Sequence, residues 1–405
     1  MSFHTLEPHD FAARLGGWLS TPGPDSDVVV SCRVRLARNL EGYPFMVRLD
    51  ERRAVELAGR LRAGLEGLTL DGSQPIWVDI PEAPKLVRLL LRERHLVSRE
   101  LAPVEEDRAV PAGRAVVFGV AETTAAMVNE EDHLRLQGIA GGFDLGLAWS
   151  RVRELDQSLE ASVDFACSRR LGYLTACPTN VGTGMRASVM LHLPALGLVR
   201  SELEKVFAAA QRTGLAVRGM YGEGSRAVGD YYQISNQVTL GRSEEDLISD
   251  LQNLVPCIVD FERRVRATLL EKRAEALTDR VGRSLGLLRS GRSLPTETAL
   301  AHLSSLRLGR TLNLFGAFDL PELNSITVHI QRGHIQAIRD ASGQDDLLTA
   351  DARDRLRAKL LLKRFMDAAR RGKDIGSPGA GPNNTDSGAP DSKRHNPKDD
   401  GEVNP

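Results

Sequence analysis

The chain has 405 residues, 41% of them hydrophobic, enough for two or three domains with their own cores. Acidic and basic residues nearly cancel, leaving a formal charge of −1. That excludes a global field for nucleic acid or membrane and puts the weight on local arginine clusters.

The N-terminus has no signal pattern, and no apolar run approaches membrane-spanning length. Cys32, Cys167, Cys177 and Cys257 show neither metal-type spacing nor disulfide-framework density. The expectation is a soluble cytoplasmic protein. In chain order, residues 3–19 predict a short amphipathic helix carrying Phe11, Leu15 and Trp18 inward. Residues 28–36 predict a strand with Val28, Val30, Cys32, Val34 and Leu36 on one face and Val29, Ser31, Arg33 and Arg35 on the other. Arg33 and Arg35 would then sit about 7 Å apart. That is either a solvated face or a pair that holds an anion between like charges. Helices follow at 51–67 and 82–96 and a strand at 115–120. Residues 127–137, with three consecutive acids beside a His and an Arg, fit a helix N-terminus or a strand; either puts Glu131 and Arg135 on one side.

Residues 158–170 look helical and lead into Cys177-Pro-Thr-Asn-Val-Gly-Thr-Gly-Met-Arg-Ala-Ser188. Taken alone, that stretch is a glycine-bearing turn with a buried thiol. Its glycines also permit close backbone approach to a ligand, and Arg186 suits phosphate oxygens. Beyond Gly184, the alternation of Arg186, Ser188, Met190 and His192 against Ala187, Val189, Leu191 and Leu193 predicts a strand. A helix at 200–213, strands at 216–220 and 230–240, and a helix opened by Ser243 complete the first part. Strands and helices do not alternate as βαβ units, so an α+β layer arrangement is expected. The character changes near 257, with a helical apolar stripe and further helices at 295–306 and 350–370. The expected organisation is a catalytic domain at 1–256, a helical domain at 257–371 and a disordered tail at 372–405.

The motifs Ser31-Cys-Arg-Val-Arg-Leu-Ala-Arg38, Asn129-Glu-Glu-Asp-His-Leu-Arg135, Cys177–Ser188 and Ile234-Ser-Asn236 together resemble the signatures of the ATP:guanido phosphotransferases. The resemblance runs from about residue 20 to 255, and the continuation past 260 is similar only to the bacterial protein arginine kinases of the McsB type. It implies an antiparallel sheet flanked by helices, like the glutamine synthetase catalytic domain. It also implies transfer of the ATP γ-phosphoryl to arginine side chains, with Mg²⁺. By resemblance, Glu131 and Cys177 are catalytic, and Arg33, Arg35, Arg135, Arg186, Ser188 and Met190 bind ATP. Arg353, Asp354 and Arg357 correspond to a phosphoarginine-binding segment.

Only thirty residues precede Ser31, where free-guanidine kinases carry a substrate-closing domain, so an open site for a protein side chain is expected. The implied partners are proteins with exposed arginine, an activator protein, a ClpC-type unfoldase–protease and a second copy of the chain, with no membrane or nucleic acid. The implied role is marking clients in stress response and protein quality control. One departure stands on the acceptor-side loop, where Arg226 replaces a carboxylate and Glu223 is the nearby acid. It keeps open a catalytically weak phosphoarginine-binding adaptor, and more remotely a free-guanidine kinase.

Overall fold

A computed structural model describes residues 6–104, 109–219, 228–339 and 347–371. The tail expected at 372–405, and Glu223 and Arg226, lie outside them. The helix expected over 3–19 is two pieces, α1 (Pro8–Ala13) and α2 (Gly17–Ser20). They part at Gly16, where a Cβ would run into Glu122. Strand β1 (Val29–Arg38), helix α3 (Glu51–Glu66), strand β2 (Ile76–Asp79) and helix α4 (Lys85–Glu93) follow. Next come strands β3 (Ala115–Phe118), β4 (Thr124–Val128) and β5 (Leu134–Gly141).

The segment at 127–137 is neither a helix start nor a single strand but a hairpin between β4 and β5. Asn129 turns the chain with φ 57°, and its Nδ2 donates to Ala54 O and Gly113 O, both at 2.9 Å. His133 Nδ1 accepts from Leu40 N at 3.0 Å. Both side chains therefore point inward, while Glu131 stays on the open side.

Helix α5 is Leu145–Glu160, opened by the Asp144 side chain accepting from Leu147 N at 2.8 Å. The helix expected at 158–170 is thus displaced upstream. The chain leaves helical geometry after Ala161 to bury Val163 and Phe165 in the core. Strands β6 (Cys167–Ser168) and β7 (Gly172–Tyr173) then form a small hairpin. Strand β8 (Met185–His192), helices α6 (Pro194–Leu198) and α7 (Arg200–Arg212), and strands β9 (Leu215–Gly219) and β10 (Tyr231–Asn236) complete the sheet region. β10 stops at Asn236 because that side chain replaces the ladder. Its Oδ1 accepts from Ala187 N at 2.8 Å and its Nδ2 donates to Met185 O at 3.0 Å.

The eight-stranded sheet has the order β2-β3-β4-β5-β1-β8-β10-β9, and all its pairings are antiparallel. That is the expected α+β architecture. One face is apolar: Cys32, Val34 and Leu36 from β1 and Ala187, Val189 and Leu191 from β8 pack with Leu57 and Leu61 of α3 and Val152 and Leu155 of α5. The other face of the central strands carries the arginines.

Helix α8 (Glu244–Ser290) has the expected Ser243 cap, with Asp246 closing a capping box. The change in composition at 257 falls inside this helix, and its break in helical geometry is at Arg273 (φ −143°, ψ 36°). Helices α9 (Thr296–Thr311), α10 (Leu320–His329), α11 (Arg332–Arg339) and α12 (Ala350–Arg370) follow. They build a second core around Phe315, Phe318 and Phe365 with the end of α8. Among the described residues no helix is long and apolar enough to cross a membrane.

Candidate active site

Three adjacent strands present the site. The β1–β8 register shifts between Val29 and Ser31, a bulge that reverses the expected faces at this end. Val29 joins the core beside Val28, and Val30 turns to the cavity side with Ser31 and Arg33. From Ser31 onward the expected alternation holds. Arg35 then lies directly opposite Arg186, and Arg33 opposite Ser188. On the other flank Arg135 pairs with Ala37.

These four arginines crowd one patch. Like charges facing each other across strands repel. Among the described residues neither Arg33 nor Arg35 has an ion-pair partner, and Arg35 Nε is buried without a hydrogen bond. Burial, with the charges of Arg186 and Arg135, lowers the Arg33 pKa to about 10. Arg35 is driven well below its ordinary value by burial and by Arg33, Arg135 and Arg186, against the opposing charge of Glu130. A polyanion lying among such guanidinium groups would turn that repulsion into attraction.

Beside the cluster is a cavity of about 480 Å³ lined by Arg35, Glu130, Glu131, Arg135, Cys177 and Arg186. Arg135 joins the two acids: it donates to Glu130 Oε1 and to Glu131 Oε2, both at 2.9 Å. Glu130 is buried. The Glu131 side chain is 46% exposed and faces the opening. Its pKa is raised by partial burial, an effect opposed by Arg135 and reinforced by Asp132 and Glu130. A raised carboxylate is the better proton acceptor.

Cys177 Sγ lies 3.0 Å from the Thr179 hydroxyl, at the start of a 3₁₀ turn over Pro178–Asn180. The loop is held from two sides. Thr239 Oγ1 donates to Thr179 O and Val181 O, and Arg38 Nη1 donates to Thr183 O at 2.9 Å. Gly184 has φ +66°, and a Cβ there would meet Ala37 O at 2.6 Å, so the backbone of β1 itself requires glycine.

A second, smaller cavity of about 120 Å³ opens on the same sheet face. Ser31, Arg33, Ser188 and Met190 line it together with Trp18, His95 and side chains of α10. Burial and the charges of Arg33 and Arg35 lower the His95 pKa to about 4, keeping it neutral at ordinary pH.

The structure thus gathers Arg33, Arg35, Glu131, Arg135, Cys177, Arg186, Ser188 and Met190 around two neighbouring cavities. The segment at 353–357 is remote in character. Arg357 is 1% exposed and donates to Ile330 O, Leu294 O and Asp354 Oδ1 at 2.6–2.8 Å, so it ties helices together. Arg353 is half-buried, donates to Leu348 O, and has its pKa lowered by burial, Arg332 and Arg357.

Sequence reasoning missed Thr179, Glu130 and Asp132. Asp132 Oδ1 accepts from Asn39 Nδ2 and from Ala176 N, both at 2.7 Å, binding the hairpin to the Cys177 segment. The run of three acids was the available signal, and only its middle member faces the cavity opening.

The model for the ATP:guanido phosphotransferase C-terminal catalytic domain matches residues 69–265, and that for the protein-arginine kinase McsB C-terminal domain matches 274–375. A protein-arginine kinase of Halothermothrix orenii is 40% identical over 87% of this chain and 97% of its own. One from Pelotomaculum thermopropionicum is 40% identical over 86% and 95%. The chain belongs to the protein-arginine kinase family. Lombricine kinase is similar in structure, with TM-score 0.53 and 26% identity over 64% of this chain and 71% of that one. The arginines of β1 precede the matched catalytic segment, so their placement beside Arg186 comes from the sheet register rather than from the match.

Proposed function

We propose that this protein-arginine kinase family member transfers the γ-phosphoryl of ATP to a guanidinium nitrogen of arginine side chains in proteins. The observation that carries the reading is the arginine patch, built to receive a polyanion, abutting a cavity that holds Glu131 and Cys177. A guanidinium is protonated and delocalised, hence a poor nucleophile. Glu131 would hold it and accept its proton as nitrogen attacks the γ-phosphorus and ADP leaves with the bridging oxygen. Arg35, Arg135 and Arg186 would neutralise the phosphoryl oxygens, and Cys177 would orient the acceptor.

Mg²⁺, which suits the phosphate oxygens and the carboxylates of this cavity, would supply charge neutralisation on the nucleotide. Arg353 carries any phosphoarginine recognition better than Arg357, which is buried with its Nε and Nη1 held by Ile330 O, Leu294 O and Asp354 Oδ1. The reading includes a cytoplasmic setting and client marking in protein quality control.

The test is incubation with MgATP and an arginine-rich protein. Acid-labile phosphate on arginine is expected, lost in Glu131→Ala; acid-stable label, or label indifferent to Glu131, overturns the reading. Arg226→Glu, restoring an acid on the acceptor loop, is expected to raise kcat/KM for the protein substrate. No turnover in either form would favour the adaptor.

A further inference from the structure

The second cavity has a wall from an unexpected source. Asn324, Thr327 and Val328 of α10 line it, and α10 lies in the C-terminal helical region, outside the matched catalytic segment. Trp18 of α2 and Ile139 of β5 supply further apolar lining, and Val328 packs in one cluster with them. Its volume of about 120 Å³ is below the several hundred typical of whole-ligand pockets, so it suits one flat ring system.

Direction follows from the strands. The acceptor cavity marks the γ end of a bound triphosphate, at Arg186 and Glu131. Met190 stands four residues further along β8, about 13 Å at strand rise. Arg33 and Ser188 lie between. A nucleoside triphosphate laid along that line puts its base in the second cavity. We infer that α10 of the C-terminal region completes the nucleotide site, with Val328 against the base and Asn324 as a polar contact at its edge.

Asn324 is preset for this. Its Oδ1 accepts from Arg307 Nη1 at 2.6 Å, and Arg307 Nη2 donates to Ser26 O at 2.7 Å, just before β1. The amide's acceptor is therefore occupied and its Nδ2 is left as the donor. The same link fixes α10 over the sheet. A purine ring nitrogen can accept from such a donor, and here both the donor and part of the apolar lining come from the helical region.

The inference rests on the proposed function, and two ligands separate the two. Calorimetric titration of the full chain with ATP and with inorganic tripolyphosphate reports base plus phosphates and phosphates alone. Val328→Phe, which fills the slot, is expected to weaken ATP at least about 10-fold and leave tripolyphosphate unchanged. Asn324→Ser, which keeps a hydroxyl for Arg307, is expected to weaken ATP alone by a smaller factor, and it serves if Val328→Phe fails to fold. ATP affinity unchanged in both variants, or equal loss for both ligands, overturns the inference. A wild-type chain that binds neither ligand overturns the nucleotide reading itself.

Discussion

At the scale of single residues, the site is a place where folding and function pull apart. Arg35 faces Arg186 directly, with Arg33 and Arg135 close enough to depress its pKa. The folded chain without ligand carries that repulsion. Arg35→Met keeps the buried stem and removes the charge, so the unliganded protein should gain about 0.5–2 kcal/mol. The same variant should lose most of the thermal stabilisation that ATP gives the wild type. Thermal unfolding with and without ATP checks both; a destabilised unliganded variant would show that Arg35 is structural.

Glu131 gives the complementary case. Its folded pKa is raised, so its ionised form costs stability above that pKa and the cost vanishes below the unfolded value. Glu131→Gln should therefore leave stability at neutral pH intact or slightly raised while phosphotransfer falls about 10²–10⁴-fold. In the wild type the rate should rise with pH through a value above the ordinary glutamate range, as the base deprotonates. A pH–rate profile flat across that range would remove Glu131 as the base.

At the scale of elements, the question is what holds the Cys177 loop in register with β1. Arg38 does much of it. Its Nε and Nη2 donate to Asp156 Oδ1 and Oδ2 of α5 at 2.9 and 2.8 Å, and its guanidinium carbon lies 3.5 Å from the Tyr173 ring centroid. Nη1 holds Thr183 O. Asp156→Ala leaves a buried guanidinium unpaired and should cost about 3–5 kcal/mol by denaturant unfolding. A loss under 1 kcal/mol would mean that the loop is held by Thr239 instead.

None of this pairing was legible in sequence, because Arg38 and Asp156 are separated by 118 residues and no local pattern joins them. What was legible was local: the alternation on β1 and β8, the Ser243 cap of α8, and Glu131 with Arg135. The errors have local physical causes. The bulge at Val29–Ser31 inverts a face without changing composition, and the hairpin at Asn129 hides behind a residue that tolerates positive φ. The candidate site residues were singled out by motif, but their division between two cavities, and the α10 wall, depend on tertiary packing.

At the scale of the whole molecule, the helical region is clamped to the sheet region at a few polar points. One is Glu93 at the end of α4. Its carboxylate accepts from Gly333 N at 2.7 Å and His334 N at 3.1 Å, and His334 Nδ1 lies 2.8 Å from it. Glu93 thus supplies the anion that the first turn of α11 favours, from another part of the chain. Arg94, the next residue, donates to both Glu122 carboxylate oxygens, and His95 lines the nucleotide-side cavity. The clamp and the cavity wall are therefore two residues apart. Glu93→Ala leaves the α11 amides and His334 without their acceptor, for a loss of about 3 kcal/mol or more. If α10 closes the base slot, loosening α11 should also raise the KM for ATP more than it lowers kcat. Tripolyphosphate affinity, read in parallel, should hold. Should Glu93→Ala lower stability while KM for ATP stays at the wild-type value, the helical region would be docked by this clamp but would close the nucleotide site independently of it.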